Sequence, residues 1–230
     1  VRIIGLLSWY EEPASWLAEC VASAASVCDH LIAVDGPYAL FPGATRKPAS
    51  GSEQADVIAH TAAGAGMGCT IHTSRQPWWG NEVEKRDFMF RLGMTFAKSS
   101  EDWFLRIDAD EVLMANRKDV RLTLTETKLD VAEVMLWDRG EQDTQTPLRV
   151  LFRALPGIGV QQAHYVVTAP AAGGGTKVLA GNHVAHSVEP AEALWDARLE
   201  HRTKNRSPQR KELKSDYYAM LPEIEQVREL

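Results

Sequence analysis

The chain has 230 residues, 45% of them hydrophobic and 24% charged, and a net charge of −6. These are the values of an ordinary soluble globular protein, with enough chain for one domain and a sizeable core. The acidic balance argues against bulk nucleic-acid binding, and no apolar run is long enough to span a membrane.

Cys20, Cys28 and Cys69 are odd in number and lack metal-ligand spacing, which fits a reducing cytoplasm rather than a disulfide framework. Arg2–Leu7 reads as a first strand, and Pro13 closes the following loop where a helix can start. Trp16, Leu17, Cys20, Val21 and Ala24 then recur at helical spacing. Leu31–Val34 is a second buried strand and ends in Asp35-Gly36-Pro37. Tyr38–Gly51 reads as a loop, Glu53–Ala63 as a weak helix and Met67–Thr73 as a third strand. Gly64, Gly66 and Gly68 follow a helix rather than a strand, against a dinucleotide fingerprint. Asn81–Ser99 is the strongest helix, with Asn81 as cap, Glu82 and Glu84 in its first turn, and Phe88, Leu92 and Phe96 along one face.

The next strand, from Trp103, runs straight into Asp108-Ala109-Asp110-Glu111. In extended backbone Asp108 and Asp110 share a face, and carboxylates so close repel unless a cation lies between them. Hard cations such as Mg2+ or Mn2+ prefer such oxygen ligands; the competing reading is a solvated acidic turn capping the next helix. Strand–helix alternation predicts an α/β fold: a mostly parallel central sheet flanked by helices on both faces, with Asp35 and the Asp108–Asp110 pair at one edge.

Later, Val131–Leu136 reads as a strand ending in Trp137-Asp138-Arg139-Gly140. Leu148–Leu155 and Gly159–Val167 read as paired strands around a Pro156-Gly157 turn, and Ala169–Gly175 as a loop. Leu194–Arg202 fits neither the helix nor the strand period, and Ser207-Pro208 marks the start of a terminal helix over Pro208–Val227.

Taken together, the chain resembles glycosyltransferases of the GT-A fold, family 2 in type. The first strand leading into Trp9-Tyr10-Glu11-Glu12, the ending Val34-Asp35-Gly36, the helix start Asn81–Arg86 and the Asp108–Glu111 motif carry that resemblance. Leu151-Phe152-Arg153 with His164-Tyr165, and Leu199–Arg202 with Tyr217-Tyr218, match more weakly. Members usually carry Asn-Glu where this chain has Glu11-Glu12, and Ser-x-Asp after Asp-Gly where it has Pro37-Tyr38-Ala39.

The resemblance implies a single Rossmann-like GT-A domain, with a nucleotide-sugar-binding half over 1–112 and an acceptor-side half with C-terminal helix over 113–230. It implies transfer of a sugar from a nucleoside diphosphate, UDP first in expectation, with Mn2+ or Mg2+ neutralising the leaving group. Asp108 would hold the ribose or a metal-bound water, and Asp110 the metal. A third ligand would come from His164, His183, His186 or His201; His201 is favoured because Arg202, Lys204 and Arg206 follow it, with His183 and His186 as the alternative pair. The donor site would further include Tyr10, Glu12, Asp35, Lys85, Arg86, Arg202 and Arg206, although Lys85 and Arg86 equally suit a solvated face pairing with Glu82. Trp79, Arg153 and His164 would lie on the acceptor side, and Trp78 and Trp79 equally suit the core. Asp138 would be the general base, with Glu133 and Glu141 as alternatives. The acceptor stays open among a protein, a small metabolite, a lipid-linked glycan and a modified nucleobase. Two other classes remain, a nucleotidyltransferase and a non-catalytic carbohydrate-binding protein. The Ser8–Pro13 loop, acidic and without Gly, disfavours the former.

Overall fold

The computed structural model describes residues 1–38, 48–75, 79–138, 144–162, 166–181 and 188–202, with Glu212 and Ser215. Its first half alternates strand and helix: β1 (Ile3–Ser8), α1 (Ala14–Ala25), β2 (His30–Val34), α2 (Ser52–Gly64), β3 (Gly68–His72), α3 (Glu82–Met94) and β4 (Trp103–Asp108). These four strands lie in the order β3-β2-β1-β4 and are parallel throughout. The chain therefore steps outward from β1 to β3 and returns to the far side of β1. The reversal leaves a crevice at the carboxyl ends of β1 and β4, where open sheets bind ligands.

The strands are apolar on both faces because both are covered. Ile3, Leu7, Leu31, Trp103, Leu105 and Ile107 pack with Leu17, Cys20 and Val21 of α1, whereas Ile4, Leu6, Ile32 and Phe104 pack with Met89 and Phe90 of α3. α3 approaches β4 closely: a Cβ on Gly93 would lie 2.8 Å from Phe104 Cε1. Asn81 caps α3 as expected, its Oδ1 accepting from the Glu84 N–H at 2.8 Å, but the helix ends at Met94 and not at Ser99.

The rest of the chain adds β5 (Glu111–Met114), α4 (Arg117–Glu126), β6 (Val131–Asp138), β7 (Thr144–Arg153), β8 (Gly159–Gln162), β9 (Val166–Pro170), β10 (Thr176–Ala180) and β11 (Glu192–His201). It overturns the expectation of a mostly parallel, Rossmann-like GT-A sheet. The eight-stranded sheet has the order β3-β2-β1-β4-β7-β6-β11-β5. Four of its neighbouring pairs are parallel and three, β4–β7, β6–β7 and β5–β11, are antiparallel. A separate antiparallel sheet, β10-β9-β8, shares the α3 side of the core. The cause is chain length: only residues 139–143 separate β6 from β7. A parallel crossover takes a dozen or more residues, so this pair has to be antiparallel.

The expected hairpin around Pro156-Gly157 does not form either. β4 and β6 already occupy both edges of β7, and β8 pairs with β9. The ambiguous stretch Leu194–Arg202 falls in β11, whereas β5, α4 and β10 have no counterpart in the sequence reading. The sheet crosses residue 112 without a break, since β4 pairs directly with β7. The terminal helix expected over Pro208–Val227 lies outside the described residues, Glu212 and Ser215 apart. No helix among the described residues is long and apolar enough to cross a membrane.

Candidate functional site

The ends of β1, β2 and β4 meet in register: Ser8 lies opposite Val34 on one side and Asp108 on the other. Asp35 and Asp108 therefore flank the end of β1 from its two neighbours, the common edge that the sequence implies.

Asp35 is buried, and its carboxylate is engaged by its own chain. Oδ1 accepts from the Gly36 N–H at 2.6 Å and the Ser50 hydroxyl at 2.7 Å, and Oδ2 accepts from the Ser50 N–H at 2.7 Å. Burial pushes this carboxyl above its ordinary value, while the Ser50 and Gly36 donors and nearby Lys85 pull the other way. The Ser50 hydroxyl also accepts from the Glu11 N–H at 2.8 Å. Ser50, which the sequence reading missed, thus ties the loop after β1 to the loop after β2. Gly36 sits at φ 107, where a Cβ would lie 2.9 Å from Pro48 O, so the turn requires glycine. Trp79 closes this corner: its indole N–H donates to Asp35 O at 2.8 Å and its ring packs on Phe88 and His72. Tyr10 and Glu12 lie half-buried in the β1 loop, and Gln54 Nε2 donates to Glu12 O at 2.7 Å.

α3 delivers two cations into the crevice, and neither lies on a solvated helix face. Lys85 is buried and donates from Nζ to Trp9 O at 2.9 Å and Gly36 O at 2.6 Å, fastening the ends of the first two strands. Burial, reinforced by the adjacent Arg86, pushes its ammonium down to about 7. Arg86 holds Glu82 through Nε at 3.0 Å and Asp108 through Nη1 at 3.0 Å. Arg106, two residues back along β4 and so on the same face, reaches Asp108 at 3.3 Å. A charged residue within the apolar run of β4 was the available signal for Arg106.

β11 brings the far end of the chain to the motif. It pairs with β5 so that His201 lies opposite Glu111, and with β6 so that His201 lies opposite Asp138. His201 Nε2 stands 3.1 Å from Asp110 Oδ2, and the Arg202 N–H donates to Asp110 O at 3.0 Å. The Arg202 guanidinium pairs with Glu19 of α1. Beneath, the buried Glu111 carboxylate accepts the Asp108 N–H at 2.9 Å; burial pushes its carboxyl up, with Asp108 adding to the shift and Arg106 opposing it. Cys20 donates to Asp108 O at 3.4 Å, and burial pushes its thiol well up.

Asp110 and His201 stand at hydrogen-bond distance, and an imidazole with a carboxylate is a donor set that Mn2+ accepts better than the harder Mg2+. Adjacent ligands about 2.1 Å from one octahedral ion lie about 3 Å apart, close to the separation of this pair. Asp108 is held by two guanidiniums instead. Among the described residues no three His, Cys, Asp or Glu side chains converge as a metal site.

Arg153 is not brought here. It lies opposite Trp103, at the amino end of β4, donates to Leu129 O, Thr127 O and Glu101, and stacks on Trp103 at 4.9 Å. It fastens the far edge of the sheet and does not face an acceptor at this site. Glu133 likewise pairs with Arg149 along β6. His164, His183, His186, Trp78, Lys204, Arg206, Glu141 and the Asp138 side chain lie outside the described residues.

Comparison of the chain with protein-family models and with curated proteins finds no match.

Proposed function

We propose that the chain is a metal-dependent transferase that takes a sugar from a nucleoside-diphosphate donor, with UDP the first nucleotide to test. The observation that carries the reading is the meeting of Asp110 and His201 at 3.1 Å, from opposite halves of the chain, beside Asp108 and two arginines at a strand-end crevice. A solvated acidic turn would need none of these partners.

In this reading the nucleoside lies against Tyr10 and Trp79, at the corner that Asp35 holds together, where aromatic rings favour a planar base. A divalent cation held by Asp110 and His201 would neutralise the charge on the leaving diphosphate. Arg86 and Arg106 are already oriented by Asp108, so phosphate oxygens entering the crevice share pre-positioned guanidiniums. Lys85 keeps the ends of β1 and β2 at a fixed separation and so holds the base and phosphate subsites in register. Asp138, in register with His201 on β6, is the carboxylate assigned to deprotonate the acceptor hydroxyl.

The test is titration calorimetry of UDP with Mn2+ or with EDTA, using the intact chain, Asp110→Asn and His201→Ala. Binding in Mn2+ should disappear in EDTA and weaken by about tenfold or more in each variant, because a lost charged contact costs about 1.5–3 kcal/mol. Hydrolysis of UDP-sugars without acceptor should follow the same order. Equal affinity across all of these conditions would overturn the reading.

A further inference from the structure

A second surface feature lies away from the crevice, where β11 leaves its regular pairing. Between Ala193 and Arg198 this strand has four residues, while β6 has only one between their partners Glu133 and Met135. The bulge throws Trp195 outward until the residue is 80% exposed, the highest value among the exposed large apolar residues described. Bulges of this kind re-aim side chains and recur beside functional sites.

Trp195 stands over a groove of about 130 Å³ between the bulge and the first two turns of α4. Its floor is apolar, with Val120 and Leu194 both buried. Its rim carries Asn116, Asp119, Thr123 and Asp196. An indole wall, an apolar floor and a rim of carboxylate, amide and hydroxyl groups match one chemical class above others. A pyranose has an apolar C–H face to lay on the ring and hydroxyls around its edge to donate to Asp119 and Asp196. The volume is well below the roughly 300–1,000 Å³ of sites for drug-sized ligands, so the groove takes a single ring and not a length of peptide. A lysine or arginine side chain would meet the carboxylates, but it has only donors to offer and so leaves the Asn116 amide N–H groups without an acceptor.

We infer that this groove is a carbohydrate-binding subsite, with Trp195 as its stacking platform and Asp119 and Asp196 as hydroxyl acceptors. It is separate from the crevice: five residues of β11 lie between Trp195 and His201, and against the register of β6 the two stand about 10–15 Å apart along the strand. Binding here does not depend on the transferase reading. Only the role that follows, gripping an extended glycan acceptor a few sugars from the point of transfer, rests on that reading.

The experiment measures neutral tetrasaccharides of glucose, N-acetylglucosamine and mannose by saturation-transfer NMR and calorimetry, with no donor or metal present. At least one should bind the intact chain, lose about tenfold or more in affinity in Trp195→Ala, and weaken in Asp119→Asn and Asp196→Asn. Trp195 is so exposed that its removal leaves the fold intact, which a thermal melt will check. No binding by any tetrasaccharide, or binding unchanged in Trp195→Ala, overturns the inference. So does preferential binding of tetra-arginine, which would make the groove a cationic-peptide site. Because the donor is left out, failure of the transferase reading cannot mask or mimic any of these results.

Discussion

Lys85 is the residue where burial and chemistry pull hardest against each other. Its ammonium, normally protonated to about pH 10.4, is pushed down to about 7 in the folded chain. Between those two values the unfolded chain carries a proton there that the folded chain has released, so stability rises with pH across the window and the penalty is complete below it. Urea unfolding at pH 7 and pH 9 should show the intact chain gaining about 2 kcal/mol relative to Lys85→Met, as the same linkage requires. A difference that stays constant between the two pH values would mean that the two carbonyl acceptors keep the ammonium charged. Asp35 poses the complementary case, a buried carboxylate satisfied by backbone and hydroxyl donors. Asp35→Ala leaves the Ser50 and Gly36 N–H groups without their acceptor and should cost about 1–3 kcal/mol. Amide exchange at Ser50 and Glu11 should quicken with it, because the Ser50 hydroxyl links the two loops.

At the scale of elements, α3 does more than cover the sheet. It supplies Lys85 and Arg86 to the crevice, and its close approach to β4 sets how far they reach. Gly93 permits that approach, so Gly93→Ala trades better helix propensity for a clash with Phe104. The propensity gain is about 1 kcal/mol and overpacking costs about 1–3 kcal/mol. The ring is buried in the core and has little room to yield, so the cost falls toward the upper end of that range and a net loss of up to about 2 kcal/mol is expected in denaturant melts. Arg86 should also move off Asp108, which a crystal structure of the variant would reveal. β11 shows an element whose period in sequence was misleading. Leu194, Ala197 and Leu199 are all buried, yet they fit no strand period because the bulge shifts the register between Ala193 and Arg198. The same irregularity that hid the strand creates the Trp195 groove.

At the scale of the molecule, what the sequence by itself determined was local and periodic. The alternation of buried strands with helices from β1 to β4 and the placing of Asp35 and Asp108 at one edge follow from apolar runs ending in carboxylates, and the Asn81 cap from a short polar side chain just before a helical period. In a parallel sheet, strands that run the same way end on the same side. Tertiary structure decided whatever depended on which strand lies beside which. Leu148–Leu155 carries no mark saying that its neighbours are β4 and β6 rather than the strand after Pro156-Gly157. Pairing partners are chosen by competition for open sheet edges, a property of the whole chain. For the same reason Arg153 read as part of an acceptor site and proved to be a fastener at the opposite end of β4. Its antiparallel register with Trp103 reverses the end of the sheet at which a C-terminal strand residue emerges. The meeting of His201 with Asp110 was an expectation of resemblance, and no spacing within the sequence could have required it. It comes about because β11 settles beside β5 in one register, a long-range choice made by burying Leu199 and Leu113 on the same face.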